Sequence, residues 1–555
     1  MVSMTVYSNV LASQLFGWQD WCTLGLFFFG LICIIWWVLR QKEETSVDYF
    51  LAGRNAGWIA IGASIFASNI GSEHLVGLAG AGYESGMAMS HWEIQAWLIL
   101  VLGWVFVPFY ARSRVFTMPE FLEKRFCSGA RSFLSIISLV SYVLTKVAVT
   151  VYAGGIVFKT VLGIDKWMGI DFFWVGAISL VVITGLYTIF GGMKSVLYTS
   201  VLQTPVLVIG SVVILIVGLV KLGGWGELER ICADNIHCIR PADDPKFPWT
   251  GVLFGSAIIG FWYWCTDQYI VQRTLSARNQ TEARRGAIFA GYLKLLPVFI
   301  FLVPGMIAFA LNQKGIMELK SADAAFPTLV STLLPAGLKG VVVGGLVAAL
   351  MSSLASLFNS SATLFTVDFY KKFRPQSTER HLVFVGRLAT ATVVVLGIVW
   401  IPVMKHVASV LYEYLQMVQG LIAPAIAAVF VMGVFSKRVT GAGGLTGLVI
   451  GFILGMLRLV LVIFKDRLVE GTLAYKLVAI NWLHYCIFLF FLTGAIIIVV
   501  SLFTKKPTAE EITGLTYGSG TPEQINETRA SWNKWDVIHT VIVVGVVVAF
   551  YVYFW

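Results

Sequence analysis

The chain has 555 residues, of which 58% are hydrophobic and only 13% are charged, whereas a soluble domain carries roughly 25% charged residues. Apolar runs of about 20 residues recur along the sequence, and each is long enough to cross a bilayer. This excludes a soluble enzyme, a disordered chain, a secreted disulfide scaffold and an outer-membrane barrel, whose segments alternate over about 10 residues. The net charge of +10 comes from basic residues in the loops, without interleaved aromatic residues, and so does not indicate a nucleic-acid partner.

The runs predict an all-α polytopic membrane protein with about fourteen transmembrane helices. The first is expected to be a true span rather than a cleaved signal, because no Lys or Arg precedes Arg40. Most basic loop residues lie on one side of the membrane, and the positive-inside rule assigns that side to the cell interior. Both termini are then predicted to lie on the outer side of the cell membrane. The predicted spans are 20–39, 57–83, 86–110, 131–162, 172–190, 195–220, 251–273, 284–311, 337–370, 383–402, 406–434, 440–463, 476–503 and 536–555.

The second and seventh spans are predicted to be broken helices. One carries the polar stretch Ala67–His74 (ASNIGSEH), and the other carries Trp262–Gln268 (WYWCTDQ). Irregular backbone at membrane depth is tolerated only where protein or a watery cavity surrounds it. Paired interruptions five spans apart predict a transporter built from five-plus-five inverted repeats. We therefore divide the chain into an extra helix (1–45), a first repeat (46–225), a second repeat (226–435) and C-terminal helices (436–555).

Polar side chains near these breaks suit an uncharged polyol. Ionisable groups within spans are costly and usually functional, and a hydroxyl group needs both donors and acceptors. Tyr263 and Trp264 add aromatic faces that can stack on a sugar ring. The alternative is that the polar groups lock helices together or cap the broken ends. The candidate donors and acceptors are Asn69, His74, Glu93, Lys294 and Gln416.

A second candidate site would bind sodium, a hard cation that prefers oxygen ligands. Ser352 and Ser353 in the ninth span offer hydroxyl groups, and unwinding of the second span would free the carbonyls of Ala67 and Ile70. The alternative is that these small residues serve close helix packing. Elsewhere, Cys232 and Cys238 share one polar loop, where a disulfide could form if the loop is outside.

The sequence closely resembles the sodium/glucose cotransporter family, the solute:sodium symporters, over roughly 48–435. The motifs that carry the resemblance are Asp48–Arg54 (DYFLAGR), Phe190–Gly192 (FGG), Trp262–Arg273 (WYWCTDQYIVQR), Gly291–Leu295 (GYLKL) and Met351–Thr366 (MSSLASLFNSSATLFT). The resemblance implies a LeuT-like fold, an alternating-access cycle and Na⁺-coupled sugar uptake, with Tyr263 as the inner gate. It implies a sugar site at Asn69, His74, Glu93, Trp264, Lys294 and Gln416, and a sodium site at Ala67, Ile70, Ala349, Ser352 and Ser353.

The sequence departs from the family pattern at two places. Members with a second sodium site have Tyr-Thr-Asp in the sixth span, whereas here Ser200 follows Tyr198-Thr199, and Ala355 stands where those members tend to have Thr. We therefore expect one Na⁺ per sugar. Gly260 and Gln419 stand where hydroxyl residues are common in the family, which leaves the identity of the sugar open.

Other functions remain open at this stage. The protein could be a Na⁺-coupled transporter of myo-inositol or another polyol, or a sugar-gated sensor or ion conductor with little net transport. An enzyme is not expected, because the sequence shows no nucleophile–base pair and no metal cluster. We expect a lipid-embedded protein that functions as a monomer, with a neutral sugar and sodium as its ligands.

Overall fold

The computed structural model describes residues 16–41, 44–71, 73–319, 321–404 and 411–555. Residues 1–15 of the predicted N-terminal unit, Ser72 of the second-span motif and the predicted start of a span at 406 lie outside the described residues. The membrane helices are α1 (Trp18–Leu39), α2 (Trp58–Asn69), α3 (73–85), α4 (90–113), α5 (128–162), α6 (172–191), α7 (193–222), α8 (249–266), α9 (Gln268–Leu275), α10 (Gln280–Gln313), α11 (Leu338–Phe373), α12 (Glu379–Met404), α13 (Leu411–Phe435), α14 (Gly441–Ile463), α15 (Trp482–Leu502) and α16 (Lys534–Tyr553).

The predicted all-α, multi-pass architecture is confirmed. In the described part of the chain, ten helices are long and apolar enough to cross a membrane. Some of these ten join two of the helices named above and cover two predicted spans with only a short irregularity between them, among them Glu73–Ser113 with 41 residues and Phe172–Leu222 with 51. The count of fourteen crossings and the division into repeats therefore stay predictions.

The join between α6 and α7 is tighter than the sequence suggests. Instead of the loop expected between 190 and 195, the helix Phe172–Leu222 is interrupted only at Gly192, with φ 46° and ψ −143°. A Cβ at this position would lie 2.5 Å from the carbonyl oxygen of Tyr49. Glycine is required here both by the positive φ and by the close approach of the neighbouring backbone.

The longer connectors also hold structure that the sequence did not predict. A two-stranded antiparallel ribbon, β1 (Lys166–Trp167) and β2 (Ile170–Asp171), lies between α5 and α6. Short helices at Trp225–Ile231, Ala325–Leu333 and Pro522–Ala530 lie in the three longest connectors between the predicted spans.

Helix α11 lies at the centre of the protein. In its most apolar window 94% of the residues are buried, against 22% for α1 and for α16. Small residues make this position possible, because they let neighbouring backbones approach closely. A Cβ on Gly345, for example, would lie 3.0 Å from Cα of Leu207 in α7. The serines predicted to bind sodium are therefore on the most enclosed helix.

Helix α1 is fastened to the N-terminus of α11 by one carboxylate. The side chain of Asp20 is completely buried. Its Oδ1 accepts hydrogen bonds from the backbone N–H groups of Gly337 and Gly340, each at 2.7 Å, and its Oδ2 accepts from that of Gly17 at 2.9 Å. A helix N-terminus presents unpaired N–H groups and a partial positive charge, so Asp20 satisfies both needs at once.

We predict that Asp20→Ala destabilises the protein strongly. The substitution leaves three N–H groups without their acceptor, and each such buried group costs about 1–3 kcal/mol. Thermal unfolding of the purified protein in detergent should show a clearly lower melting temperature. The exposed Asp466 provides the control Asp466→Ala, and an equal melting temperature for the two variants would contradict this role for Asp20.

Candidate functional site

The two predicted helix breaks are both present. Helix α2 ends at Asn69, and Ile70 adopts an extended backbone with φ −78° and ψ 103°. Among the described residues, none donates a hydrogen bond to the carbonyl of Ala67 or Ile70. In the other break, Asp267 is extended with φ −77° and ψ 127°, and its side chain accepts from the N–H of Tyr269 at the start of α9. The first break therefore leaves backbone carbonyl oxygens available to a cation.

Four predicted site residues form one buried cluster around the first break. The ammonium Nζ of Lys294 donates to Oε2 of Glu93 at 2.5 Å and to Oδ1 of Asn69 at 3.0 Å. Nε2 of His74 lies 3.2 Å from the same oxygen of Glu93. The amide of Asn69 donates to the hydroxyl of Tyr263 at 3.2 Å. The cluster thus links α2, α3, α4 and α10, and its contact with Tyr263 extends it to α8.

Irregular helix geometry brings these side chains together. Asn69, Glu93 and Lys294 are each the last residue of a regular helical segment. After Glu93 the helix bends at 94–95, and after Lys294 it bends at 295–296. His74 lies in the widened π-helical turn that follows the first break. Each discontinuity turns a polar side chain towards the interior, where the other members of the cluster satisfy it.

The cluster lines a cavity of about 40 Å³. Pockets for small molecules usually measure about 300–1,000 Å³, so a sugar could enter only if the lining side chains moved apart. Trp264, Gln416 and Tyr263 line the cavity as predicted, and so do the previously noted Gly260 and Gln419. Oε1 of Gln416 is buried and has no hydrogen-bond partner among the described residues.

Gln95 and Glu73 also line the cavity, although we did not select them from the sequence as site residues. Gln95 accepts from Nε1 of Trp264 at 3.3 Å and donates to the carbonyl of Ser256 at 2.9 Å. It therefore fixes the indole that would face a sugar. The only feature of the sequence that pointed to Gln95 was its amide side chain two residues after Glu93. The bend that turns both residues inward has no proline or glycine beside it, so the sequence did not predict this bend.

The residues predicted to bind sodium lie together beside the first break. The hydroxyl of Ser353 lies 3.0 Å from that of Tyr269, which also donates to the carbonyl of Ser68. Oγ of Ser352 lies 3.3 Å from Oγ of Ser200. Ala67, Ile70 and Ala349 are fully buried and can contribute only backbone carbonyls. The arrangement is a set of neutral oxygens of the kind that a hard cation prefers.

A second ion pair, buried at Asp267 and partly buried at Lys146, lies at the other break. Oδ2 of Asp267 is 2.8 Å from Nζ of Lys146 in α5, and Oδ1 accepts from the hydroxyl of Tyr142. The same ammonium lies 4.7 Å from the ring centroid of Tyr263 and 4.5 Å from that of Tyr269. Cation–π contacts at these distances are favourable, more so when they are desolvated. The ion pair and the aromatic rings together fill the space next to the ring of Tyr263.

The two cysteines of the connector between α7 and α8 are free thiols. Burial raises the pKa of Cys232 to about 11 and that of Cys238 to about 12. Only the thiolate form reacts readily, so both side chains behave as small packing residues. The disulfide that their sequence spacing allowed is not formed.

The chain resembles known transporters in sequence and in fold. Residues 49–451 match the profile of the Sodium:solute symporter family. The sequence is 38% identical to a sodium/myo-inositol cotransporter of Mus musculus over 549 residues, covering 90% of this chain and 75% of the relative. It is also 38% identical to a sodium/glucose cotransporter 4 of Homo sapiens over 537 residues, covering 90% and 78%.

Two solved structures share the fold. A Na⁺-coupled sialic acid symporter in a substrate-bound outward-open state superposes with a TM-score of 0.74 at 21% identity, covering 89% of this chain and 99% of that one. Mhp1, a nucleobase-cation-symport-1 family transporter in a closed conformation, gives a TM-score of 0.52 at 12% identity, covering 86% and 99%. At these identities the likeness concerns the fold alone.

The family profile covers most of the chain, and the sequence relatives are aligned along nearly all of it. Sodium is therefore the coupling ion, and the expectation that the protein is a transporter rather than an enzyme is confirmed. The chain belongs to the sodium:solute symporter family and is a multi-pass, Na⁺-coupled solute symporter.

Proposed function

We propose that this symporter takes up a neutral hexose of the glucose or galactose kind together with Na⁺, by alternating access. The observation that carries the proposal is the buried cluster of Asn69, His74, Glu93 and Lys294. It combines hydrogen-bond donors and acceptors, as a ring of hydroxyl groups requires. The indole of Trp264 lies beside it, with Nζ of Lys294 5.3 Å from the ring centroid.

The charge balance of the cluster favours an uncharged solute. Glu93 is already paired with Lys294 at 2.5 Å, so a charged substrate would disturb a buried ion pair, and a buried charge without a partner is strongly destabilising. A hydroxyl group can instead share these donors and acceptors without changing the net charge. The same chemistry would fit myo-inositol, and relatives named for glucose and for myo-inositol are equally similar.

We propose that the ion binds where α2 unwinds against α11. Its ligands would be the carbonyls of Ala67, Ile70 and Ala349 and the hydroxyls of Ser352 and Ser353. One Na⁺ crossing 100 mV releases about 2.3 kcal/mol, and a tenfold concentration gradient adds about 1.4 kcal/mol. Together these could concentrate a neutral sugar several hundredfold. Coupling requires that sodium favour the sugar-competent state. The proposed sodium and sugar sites lie at the same break, which supports such coupling.

Tyr263 is proposed as the inner gate. Its hydroxyl accepts from Asn69 on the cavity side, and the Lys146–Asp267 ion pair lies on its other side. Release of a sugar past Tyr263 would require this packed group to separate. We further propose, from the distribution of basic loop residues, that the protein lies in the cell membrane with both termini outside, and that it functions as a monomer.

The first test is uptake of labelled galactose, glucose and myo-inositol into proteoliposomes, with Na⁺ or with choline. We expect sodium-dependent counterflow of a hexose, and Lys294→Ala should abolish most of it because the substrate then loses a buried donor. The exposed Lys476 gives the control Lys476→Ala. If the protein prefers myo-inositol, then myo-inositol and not a hexose is its substrate. If current flows without sugar flux, the protein is a sensor or ion conductor.

The second test is the sodium stoichiometry. Ser200 supplies only a hydroxyl, already within 3.3 Å of Ser352, and Ala355 supplies no side-chain oxygen, so we predict one Na⁺ per sugar. Simultaneous measurement of charge movement and sugar flux should give a ratio near one, with a Hill coefficient for Na⁺ near one. A ratio and a Hill coefficient near two would refute the prediction.

The third test concerns the ion pair beneath Tyr263. Lys146→Met and Asp267→Asn should each lower the melting temperature and the counterflow rate, because each leaves the partner buried without its counter-charge. The double variant should recover part of both losses, with a coupling of about 0.5–3 kcal/mol between the sites. Simple addition of the two single effects in the melting temperature would show that the pair is not energetically coupled.

A further inference from the structure

Glu73 is an acidic residue in the binding region to which the proposed mechanism gives no role. It is the first residue of α3, directly after the unwound segment, and it is only partly exposed. The other two acidic groups nearby have cationic partners, since Glu93 pairs with Lys294 and Asp267 pairs with Lys146. Among the described residues, no hydrogen-bond donor or cationic side chain pairs with the carboxylate of Glu73.

The carboxylate of Glu73 lies next to the predicted sodium ligands. A Cβ on Gly71 would be 2.5 Å from Oε2 of Glu73 and 2.9 Å from Oγ of Ser353. The two oxygens therefore approach a common point on the side of the backbone where Gly71 has no side chain. Gly71 belongs to the unwound segment that also holds the carbonyl of Ile70. A small cation at this point would contact oxygens from both sides of the break.

The local charges favour a cation at this point. Among the described residues, Lys294 forms its ion pair with Glu93, and no ion pair involves the carboxylate of Glu73. A carboxylate at membrane depth that is partly shielded from water is stabilised by a nearby counter-charge. The hydroxyl groups around Ser352 and Ser353 are neutral and cannot provide that charge. One monovalent cation at this point would supply a counter-charge to the carboxylate of Glu73.

We propose that Glu73 supplies an anionic ligand to the transported sodium ion, opposite the hydroxyl of Ser353 and across Gly71. This rests on the proposed function, because it assumes that sodium binds at the first break. It adds to that site a full negative charge, which neutral carbonyls and hydroxyls lack. Because Glu73 precedes His74 directly and lines the sugar cavity, the ion would also hold the start of α3 in position.

Sodium binding in the absence of sugar tests this proposal. We would measure the rise in melting temperature of the purified protein as NaCl replaces choline chloride at constant ionic strength, and derive an apparent Kd for Na⁺. Glu73→Gln keeps the size of the side chain and removes its charge, and we expect the apparent Kd to rise at least tenfold. Glu84→Gln is the matched control, because Glu84 is exposed on the same helix.

Two further variants keep the test decisive if Glu73→Gln does not fold. Glu73→Asp retains the charge but withdraws the carboxylate, so the Kd for Na⁺ should rise measurably, although less than it does in Ser353→Ala. Gly71→Ala places a methyl group between Oε2 of Glu73 and Oγ of Ser353 and should remove sodium stabilisation.

The possible results separate the two proposals. If sodium does not stabilise the wild-type protein more than choline does, the proposed sodium site itself fails. If the wild-type protein responds to sodium but Glu73→Gln has an unchanged Kd, or if Glu73→Asp and Gly71→Ala both bind Na⁺ normally, Glu73 is not a ligand. A large change in the sugar Kd at saturating sodium would assign Glu73 to the sugar site instead.

Discussion

The central constraint on this protein is the cost of leaving a polar group unpaired inside a membrane. Backbone N–H and C=O groups freed where a helix unwinds must find partners within the protein, because lipid offers none. Both breaks are therefore deep in the helix bundle, against the most enclosed helix. At one break Asp267 caps the helix that follows, and at the other the carbonyls of Ala67 and Ile70 remain available. This difference separates a structural break from one that can bind a cation.

The same constraint explains how the polar side chains pair. Lys294 cannot stand alone in this interior, and it is held by both Glu93 and Asn69. Because these residues come from different helices, the ion pair ties the unwound segment of α2 to α4 and α10. A substrate that enters must share or replace these bonds while the helices separate. In the proposed mechanism, substrate binding and helix movement would be linked through this one set of charges, and the proposed sodium ligands beside the break would take part in the same coupling.

Much of the architecture could be read from the sequence because it depends on local properties. Apolar run lengths indicated the membrane helices, and the polar stretches around Asn69 and Trp264 indicated the two breaks, both of which are present. The bend after Lys294 was missed although Pro297 follows it directly and cannot donate a helical N–H hydrogen bond. The bend after Glu93 was missed because no proline or glycine lies beside it, so it follows from packing against neighbouring helices. Gln95 was missed for the same reason, and the join at Gly192 was expected to be a loop.

The sequence by itself determined that the chain is a helical membrane protein, where its two interrupted helices lie, and which polar residues lie near them. Only the tertiary structure decided which acidic residue pairs with which base, since Lys294 lies 201 positions from Glu93 and 225 from Asn69. Hydropathy and helix period act over one or two turns, whereas these pairs depend on how distant helices pack and bend. For that reason the sequence could name Glu93 and Lys294 as candidates, but only the folded chain shows that they pair with each other and that Glu73, which was not selected, faces Ser353 across Gly71.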